Sequence, residues 1–547
     1  MNPRFQAFFI PLDEKIVNGK EPRSRITEGR CFVNEPHSFQ LVYKNEEEEL
    51  FPSDPSVEIL SPLSPHLQAR PVEEVAVTLP FRKGHDDFYA LYEPGLVGDL
   101  LLEEGAPFSF RYGVYRSILI TYDGQGEPGD YEIEAILRYG DGRIAAKASF
   151  SLHISSLSLP PISLHVSNWM HYDALSTYYG LPMFSKEYKE TFRRFLSMGI
   201  KHGIDTLLVP LFTPPLDTYV GGERPTAQLV DVKKEGGTYS FSFDRLLSFL
   251  REARGMGIRL FEMSHLFTQW GALHAPKVLD VEGHRLFGWE TDSLDPQYLS
   301  FLSSFLRALT IALEEAGFSR EEVYFHLSDE PNANHKDRYE RLRSALLPSL
   351  RGYKTIDALS EVSLSTLVDL PVEALDRVPD FQKKAEGDIF AYHCCAEEDR
   401  HLPNRFLSMP LTRFRALGAT LYATGVKGYL HWGYNFYSSG FSKRPIDPYR
   451  VNDAEGNFPS GDSFIVYPGV GGKPLSSLRL ETLTLVLSDY RALTLLESRI
   501  GREATLTFLD SFGFGEDFST YPREEGAFGA FRLALDQKIE ETFEPQS

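Results

Sequence analysis

From residue 163 to about residue 500 the sequence repeats one unit: a short β-branched or aromatic run, a turn, then a stretch of helical period. Strands separated by helices pair in parallel, because each helical crossover returns the chain to the end of the sheet where the previous strand began.

 The runs at 163–169, 206–211, 258–263, 354–358, 388–393, 428–432 and 463–467, with one starting at 323, read as strands. Helices are expected at 185–201, 244–254, 296–316, 334–350, 404–417 and 477–500, with a short one at 372–378. Ser185 caps the first of these, His202-Gly203 ends it, and Gly255 and Gly317 stop two others. About eight such units match a closed (β/α)8 barrel of the TIM type. An open doubly wound sheet would want a Gly-rich phosphate loop after its first strand. Here that strand runs into Asn168-Trp169-Met170-His171-Tyr172 instead.

The region before the barrel has a different rhythm. Alternating runs at 38–43, 75–80, 117–122, 131–139 and 145–154 are separated by turn signals, and Asp141-Gly142 is a strong hairpin signal. This reads as an all-β sandwich over 1–160, joined at Ser158-Leu-Pro-Pro-Ile162 to a barrel over 161–500. Residues 501–547 read as a C-terminal extension packed on the barrel.

Composition narrows the partners. The formal net charge is −21, which disfavours nucleic acid and anionic membrane surfaces. The run Glu46–Glu49 reads as a solvated turn or strand edge. Neither a transmembrane run nor a secretory leader is seen, so a cytoplasmic protein is expected. The three cysteines, Cys31, Cys394 and Cys395, form no disulfide framework and lack zinc-site spacing. No metal and no cofactor is expected. A homo-oligomer is compatible with the chain.

The chemistry concentrates at 323–331, Val-Tyr-Phe-His-Leu-Ser-Asp-Glu-Pro. A strand that delivers two acids at its C-terminal end is how barrel enzymes place catalytic groups. Adjacent residues on extended backbone point in different directions, so Asp329 and Glu330 can reach different atoms of one substrate. The same four residues, Ser-Asp-Glu-Pro, would also serve as a helix cap. All four tryptophans, Trp169, Trp270, Trp289 and Trp432, fall at or after expected strand ends. Aromatic rings stack on the apolar faces of sugars, although the same rings can simply seal a barrel mouth. His265, Tyr392, Tyr434 and Asn435 follow strands too and complete the candidate substrate-binding set with Trp169, Trp270 and Trp432. Glu262 and Asp357 are further acids near strand ends, each readable as a buried ion pair.

Phe325-His-Leu-Ser-Asp-Glu-Pro331 resembles the catalytic signature of glycoside hydrolase family 123, the β-N-acetylgalactosaminidases and their relatives. His265-Leu-Phe-Thr-Gln-Trp-Gly271, Leu430-His-Trp-Gly-Tyr-Asn435, Gly461-Asp-Ser-Phe-Ile-Val-Tyr-Pro-Gly469, Ser477-Leu-Arg-Leu-Glu481 and Asp489-Tyr490 agree with it. The resemblance covers about 160–495. It implies an exo-acting, retaining enzyme on a terminal β-linked N-acetylhexosamine. The substrate's acetamido oxygen would attack its own anomeric carbon, an exception to the two-carboxylate scheme. Glu330 would be the general acid/base, and Asp329 would orient and stabilise the acetamido group. Tyr392 or Tyr434 would hold the acetamido oxygen, and Trp270 and Trp432 would form the sugar-facing wall.

Two other readings compete. A glycosidase for non-acetamido β-glycosides would need a second carboxylate about 5 Å from the first, with Glu262 or Asp357 as candidates. A non-catalytic carbohydrate-binding protein would have no need of a general acid.

Overall fold

A computed structural model describes residues 4–46, 54–384, 387–393 and 398–543. Cys394, Cys395 and most of the acidic run at 46–49 lie outside these residues.

The N-terminal region is a two-sheet β-sandwich. Phe5–Pro11, His37–Asn45, Tyr115–Tyr122, Leu67–Val77 and Gly95–Leu101 form a five-stranded sheet in that order. Glu28–Phe32, Ile144–Ser155, Gly129–Arg138 and Ser56–Leu60 form a four-stranded one. Alternate residues point inwards, so Phe9, Phe39, Ile118 and Ile120 meet Ile133, Leu137, Phe150 and Leu152 in one core. The rings of Phe39 and Phe150 stack with centroids 4.0 Å apart. The Asp141-Gly142 hairpin forms as expected: Gly142 takes φ 85°, and the Tyr139 N–H donates to the Arg143 carbonyl at 2.9 Å.

Eight parallel strands close the barrel: His165–Asn168, Thr206–Val209, Leu260–Met263, Val323–Phe325, Lys354–Leu359, Leu370–Ala374, Phe390–Tyr392 and Gly428–His431. Leu208, Leu260, Tyr324, Ile356, Leu370, Val372, Phe390 and Leu430 fill its interior. The opposite faces of the strands carry Val166, Leu207, Phe261, Phe325 and Tyr429 into the larger core beneath the helices.

Two sequence expectations fail here and compensate for one another. The segment expected as a helix at 372–378 contains the sixth strand, Leu370–Ala374, followed by a one-turn helix at Val378–Gln382. Leu-Pro-Val-Glu-Ala carries Pro and Glu, which strands disfavour. Pairing with the fifth and seventh strands on either side overrides that preference, with Val372 opposite both Ala358 and Phe390. The expected last strand at 463–467 does not enter the barrel. There Phe464 bridges Asn435 antiparallel, and Tyr467–Pro468 pairs with Pro474–Leu475. Closure occurs between His165–Asn168 and Gly428–His431. The helix expected at 404–417 lies later, at Leu411–Thr424, after Pro410.

Buried ion pairs join sandwich to barrel. Arg479, on the long helix Leu478–Ile500, meets Asp99 of the sandwich at 3.0 Å with both side chains inaccessible. Arg532, on the terminal helix Ala527–Phe543, reaches Glu35 at 2.7 Å, Asp489 at 3.2 Å and Asp536 at 2.8 Å. One guanidinium thus ties sandwich, barrel and C-terminal helices together. A cleft of about 1200 Å³ opens at this junction, and neither Asp329 nor Glu330 lines it. Among the described residues no helix is long and apolar enough to cross a membrane.

The sixth strand also carries an unusual group. Glu373 is inaccessible to solvent, and among the described residues neither of its carboxyl oxygens has a hydrogen-bond partner. Burial pushes its carboxyl from the ordinary 4.5 up to about 10. Between those values the unfolded chain has released the proton while the folded chain still holds it, so this residue lowers stability progressively as pH rises. The penalty at pH 7 is on the order of 3 kcal/mol. Glu373→Met is therefore expected to raise the free energy of unfolding, by more at pH 8 than at pH 5. Urea unfolding at the two pH values measures the difference, and an equal gain at both would contradict the assignment.

Candidate active site

The fourth strand ends at Phe325, but its neighbours hold the chain extended for three more residues. Leu266 N–H donates to the His326 carbonyl at 3.1 Å, and Phe267 N–H to the Leu327 carbonyl at 2.8 Å. Ser328 Oγ donates to the Thr268 carbonyl at 2.8 Å, and Ser328 N–H donates to the Asp357 carboxylate at 3.2 and 3.3 Å. Trp270 N–H then donates to the Asp329 carbonyl at 2.8 Å. The next residue, Glu330, turns sharply with φ 44°, a left-handed conformation that costs a non-glycine residue about 1–3 kcal/mol. The clamps on Ser328 and Asp329 hold the chain into that turn, and Pro331 follows it.

Both acids are half-buried at the C-terminal mouth of the barrel. Tyr392, the last residue of the seventh strand, donates its hydroxyl to Glu330 Oε1 at 2.6 Å. Ser360 Oγ lies 2.8 Å from the same tyrosine oxygen, placed to donate to it. Burial, and next the charge of Glu330, hold the Asp329 carboxyl well above the usual carboxylate range; His326 opposes this and Asp357 adds to it. The two neighbouring carboxyl groups thus have different surroundings: the Tyr392 hydroxyl at Glu330, and burial beside Glu330, His326 and Asp357 at Asp329.

The other sequence candidates divide three ways. Trp270 stands at the mouth, 43% exposed, with its ring 5.9 Å from that of Phe441. Trp432 is half-buried nearby, and its indole N–H donates to Asp462 Oδ2 at 3.1 Å. Trp169 and His265 lie lower, buried in the barrel interior. The Trp169 indole N–H donates to Glu262 Oε2 at 2.7 Å, and the His265 ring stacks on that of His326 at 4.4 Å.

Tyr434 and Asn435 do not belong to the mouth. Tyr434 is inaccessible and donates its hydroxyl to the Phe195 carbonyl at 2.7 Å, in the outer layer against the helix Lys186–Lys201. Asn435 is inaccessible too: its Oδ1 accepts from His171 N–H at 2.8 Å and its Nδ2 donates to the His171 carbonyl at 3.2 Å. It fastens the loop after the eighth strand to the loop after the first. Beyond Trp432 the chain turns away from the mouth, so a residue two or three positions past a strand end no longer faces the axis.

Sequence reasoning missed Ser360, Thr268 and Asp462, and it left Glu262 and Asp357 undecided. The last two are structural ion partners. Both are inaccessible and both bond to His326. Ser360 follows a strand end, which is the one signal that could have found it.

The site is an adjacent Asp and Glu just past the end of the fourth strand of a closed (β/α)8 barrel, and the family of the chain makes it a glycosidase. The family model for the glycoside hydrolase 123 catalytic domain matches residues 169–496, more than half of the chain, and the chain belongs to that family. Among solved structures, a family 123 glycoside hydrolase from Clostridium perfringens is similar over 98% of both chains, with a TM-score of 0.72 and 13% identity. An endo-β-1,4-mannanase from Thermotoga petrophila is far more distant, with a TM-score of 0.35 and 14% identity over 61% of this chain and 77% of that one. No curated protein sequence matches the chain.

Proposed function

We propose that this glycosidase is an exo-acting, retaining β-N-acetylgalactosaminidase that uses its substrate's own acetamido group as nucleophile. The observation that carries the reading is the state of the remaining acids. A double displacement needs a second carboxylate about 5 Å from the first and open to the anomeric carbon. Glu262 and Asp357, the two candidates for it, are sealed inside the barrel and occupied by His326. An intramolecular nucleophile removes the need for either.

In this scheme Glu330 gives its proton to the glycosidic oxygen as the acetamido carbonyl oxygen attacks C1 and the aglycone departs. Asp329 accepts a hydrogen bond from the acetamido N–H and stabilises the positive charge of the oxazolinium-like intermediate. Glu330 then takes a proton from the incoming water, which opens the intermediate with net retention. Tyr392, whose hydroxyl donates to Glu330, is the tyrosine this scheme assigns to the acetamido oxygen. Trp270 and Trp432 supply aromatic faces for the sugar.

Hydrolysis of chromogenic β-GalNAc, β-GlcNAc, β-galactoside and β-glucoside tests the reading. Turnover limited to the two acetamido sugars, and faster on GalNAc, is the expected result. Comparable turnover of the plain galactoside would refute an acetamido nucleophile. Tyr392→Phe removes one hydrogen bond to the acid/base, and a kcat lower by about tenfold is expected from a loss of roughly 1–1.5 kcal/mol. Unchanged kcat on β-GalNAc would remove the tyrosine from the machinery.

A further inference from the structure

Beneath the acid pair, His326 has a carboxylate at each ring nitrogen. Asp357 Oδ1 lies 3.2 Å from Nδ1 and Glu262 Oε2 lies 3.4 Å from Nε2, and all three side chains are inaccessible. An ionised carboxylate can only accept hydrogen bonds, so two of them satisfy one imidazole only when both ring nitrogens carry protons. Other donors bond to the same two acids. The Trp169 indole donates to Glu262, and the Tyr339 hydroxyl and Ser328 N–H donate to Asp357. The rings around His326 suit a cation as well: His265 lies face to face with it at 4.4 Å and Trp169 stands perpendicular at 5.6 Å. Burial alone would strip the proton from His326, but its bonds to Asp357 and Glu262 outweigh burial and lift the imidazole to about 9. His265 goes the other way: burial, and next the charge of His326, hold it neutral.

We propose that His326 is a positioning residue for Asp329: clamped as an imidazolium between Glu262 and Asp357, it supplies the counter-charge beside which Asp329 ionises. Through Asp357, which also holds the Ser328 N–H, it fixes the turn that carries both acids. The titratable groups facing it are Glu262 and His265 from the third strand and its extension, Asp357 from the fifth strand, and Asp329 from its own segment; Tyr339 acts through Asp357. The inference rests on the reading that Asp329 works as an ionised group. Without the cation, Asp329 faces burial and the negative charges of Glu330 and Asp357, all of which favour its protonated form.

The test starts on the wild-type protein, without substrate. Imidazole nitrogen NMR on histidine-labelled protein should show His326 doubly protonated at pH 7.5, assigned by its absence in His326→Gln. Carbon NMR of the Asp329 carboxyl, assigned against Asp329→Asn, should titrate about 1–2 pH units higher in His326→Gln. The acidic limb of kcat/KM on β-GalNAc should move by the same amount, with KM little changed. A neutral His326 at pH 7.5 overturns the proposal, as does an Asp329 midpoint that stays put in folded His326→Gln. If that variant does not fold, Asp357→Asn supplies the assignment, because the His326 signal is the one that loses its bond to Asp357, and the wild-type protonation state decides. The two NMR measurements need no turnover, so inactivity on β-GalNAc would refute the substrate reading while leaving this inference to its own result.

Discussion

On a β-GalNAc glycoside with a poor leaving group, Glu330→Gln is expected to lower kcat by about 10²–10⁴-fold. The amide keeps the shape of the carboxyl and can still accept from Tyr392, but it has no proton to give the glycosidic oxygen. An aglycone that leaves as a stable anion needs little protonation, so nitrophenyl glycosides should suffer a smaller loss in the first step. The dependence on leaving group separates an acid/base from a residue that merely holds the site together. Measuring kcat across a series of aglycones of graded acidity decides it, and an equal loss across the series would remove Glu330 from the acid role. The fold should be unaffected, because the side chain stands half-buried at the mouth and its strained turn is held by backbone and Ser328 contacts.

Asp329→Asn is expected to lower kcat by about 10²–10³-fold, the scale of losing one preorganised group aimed at developing charge. The amide can still accept from the acetamido N–H but cannot neutralise the positive intermediate, so kcat should fall more than KM rises. A pH signature accompanies the loss. The Asp329 carboxyl is held above the usual carboxylate range by burial and by Glu330, and the group must be ionised to work. Glu330 must keep its proton at the same time, so wild-type activity should follow a bell in pH whose limbs belong to the coupled pair, the acidic limb marking the first ionisation within it. In Asp329→Asn this limb should disappear. Its persistence in the variant would assign the limb to another group.

The site shows where sequence reasoning reached and where it stopped. Asp329 and Glu330 were legible because a β-run ending in two acids and Pro is a local pattern, and strand C-termini share one face of a barrel. Tyr392 and Trp270 were placed near them by the same rule. The rule gave out at Tyr434 and Asn435. After a strand ends, the direction of each side chain depends on how the loop packs, and here it packs Tyr434 onto Phe195 and Asn435 onto His171. The roles of Glu262 and Asp357 were equally out of reach. Each meets His326 from a different strand, across 64 and 31 residues of sequence, and no local pattern encodes such a meeting.

The sequence by itself determined the class of architecture. Period-2 runs, helical runs, caps and glycine stops are properties of neighbouring residues, and they sufficed for a β-sandwich followed by a (β/α)8 barrel. Which segments became the eight strands was decided only by tertiary structure. Leu370–Ala374 is a poor strand alone, made one by hydrogen-bonding neighbours on both edges, while the run at 463–467 stays outside because the first and eighth strands had already closed the ring. Tertiary structure also decided what surrounds each carboxyl group. A carboxyl at the mouth, one buried without a partner at Glu373 and two locked onto His326 are identical groups in the chain, and burial and neighbouring charge alone distinguish them.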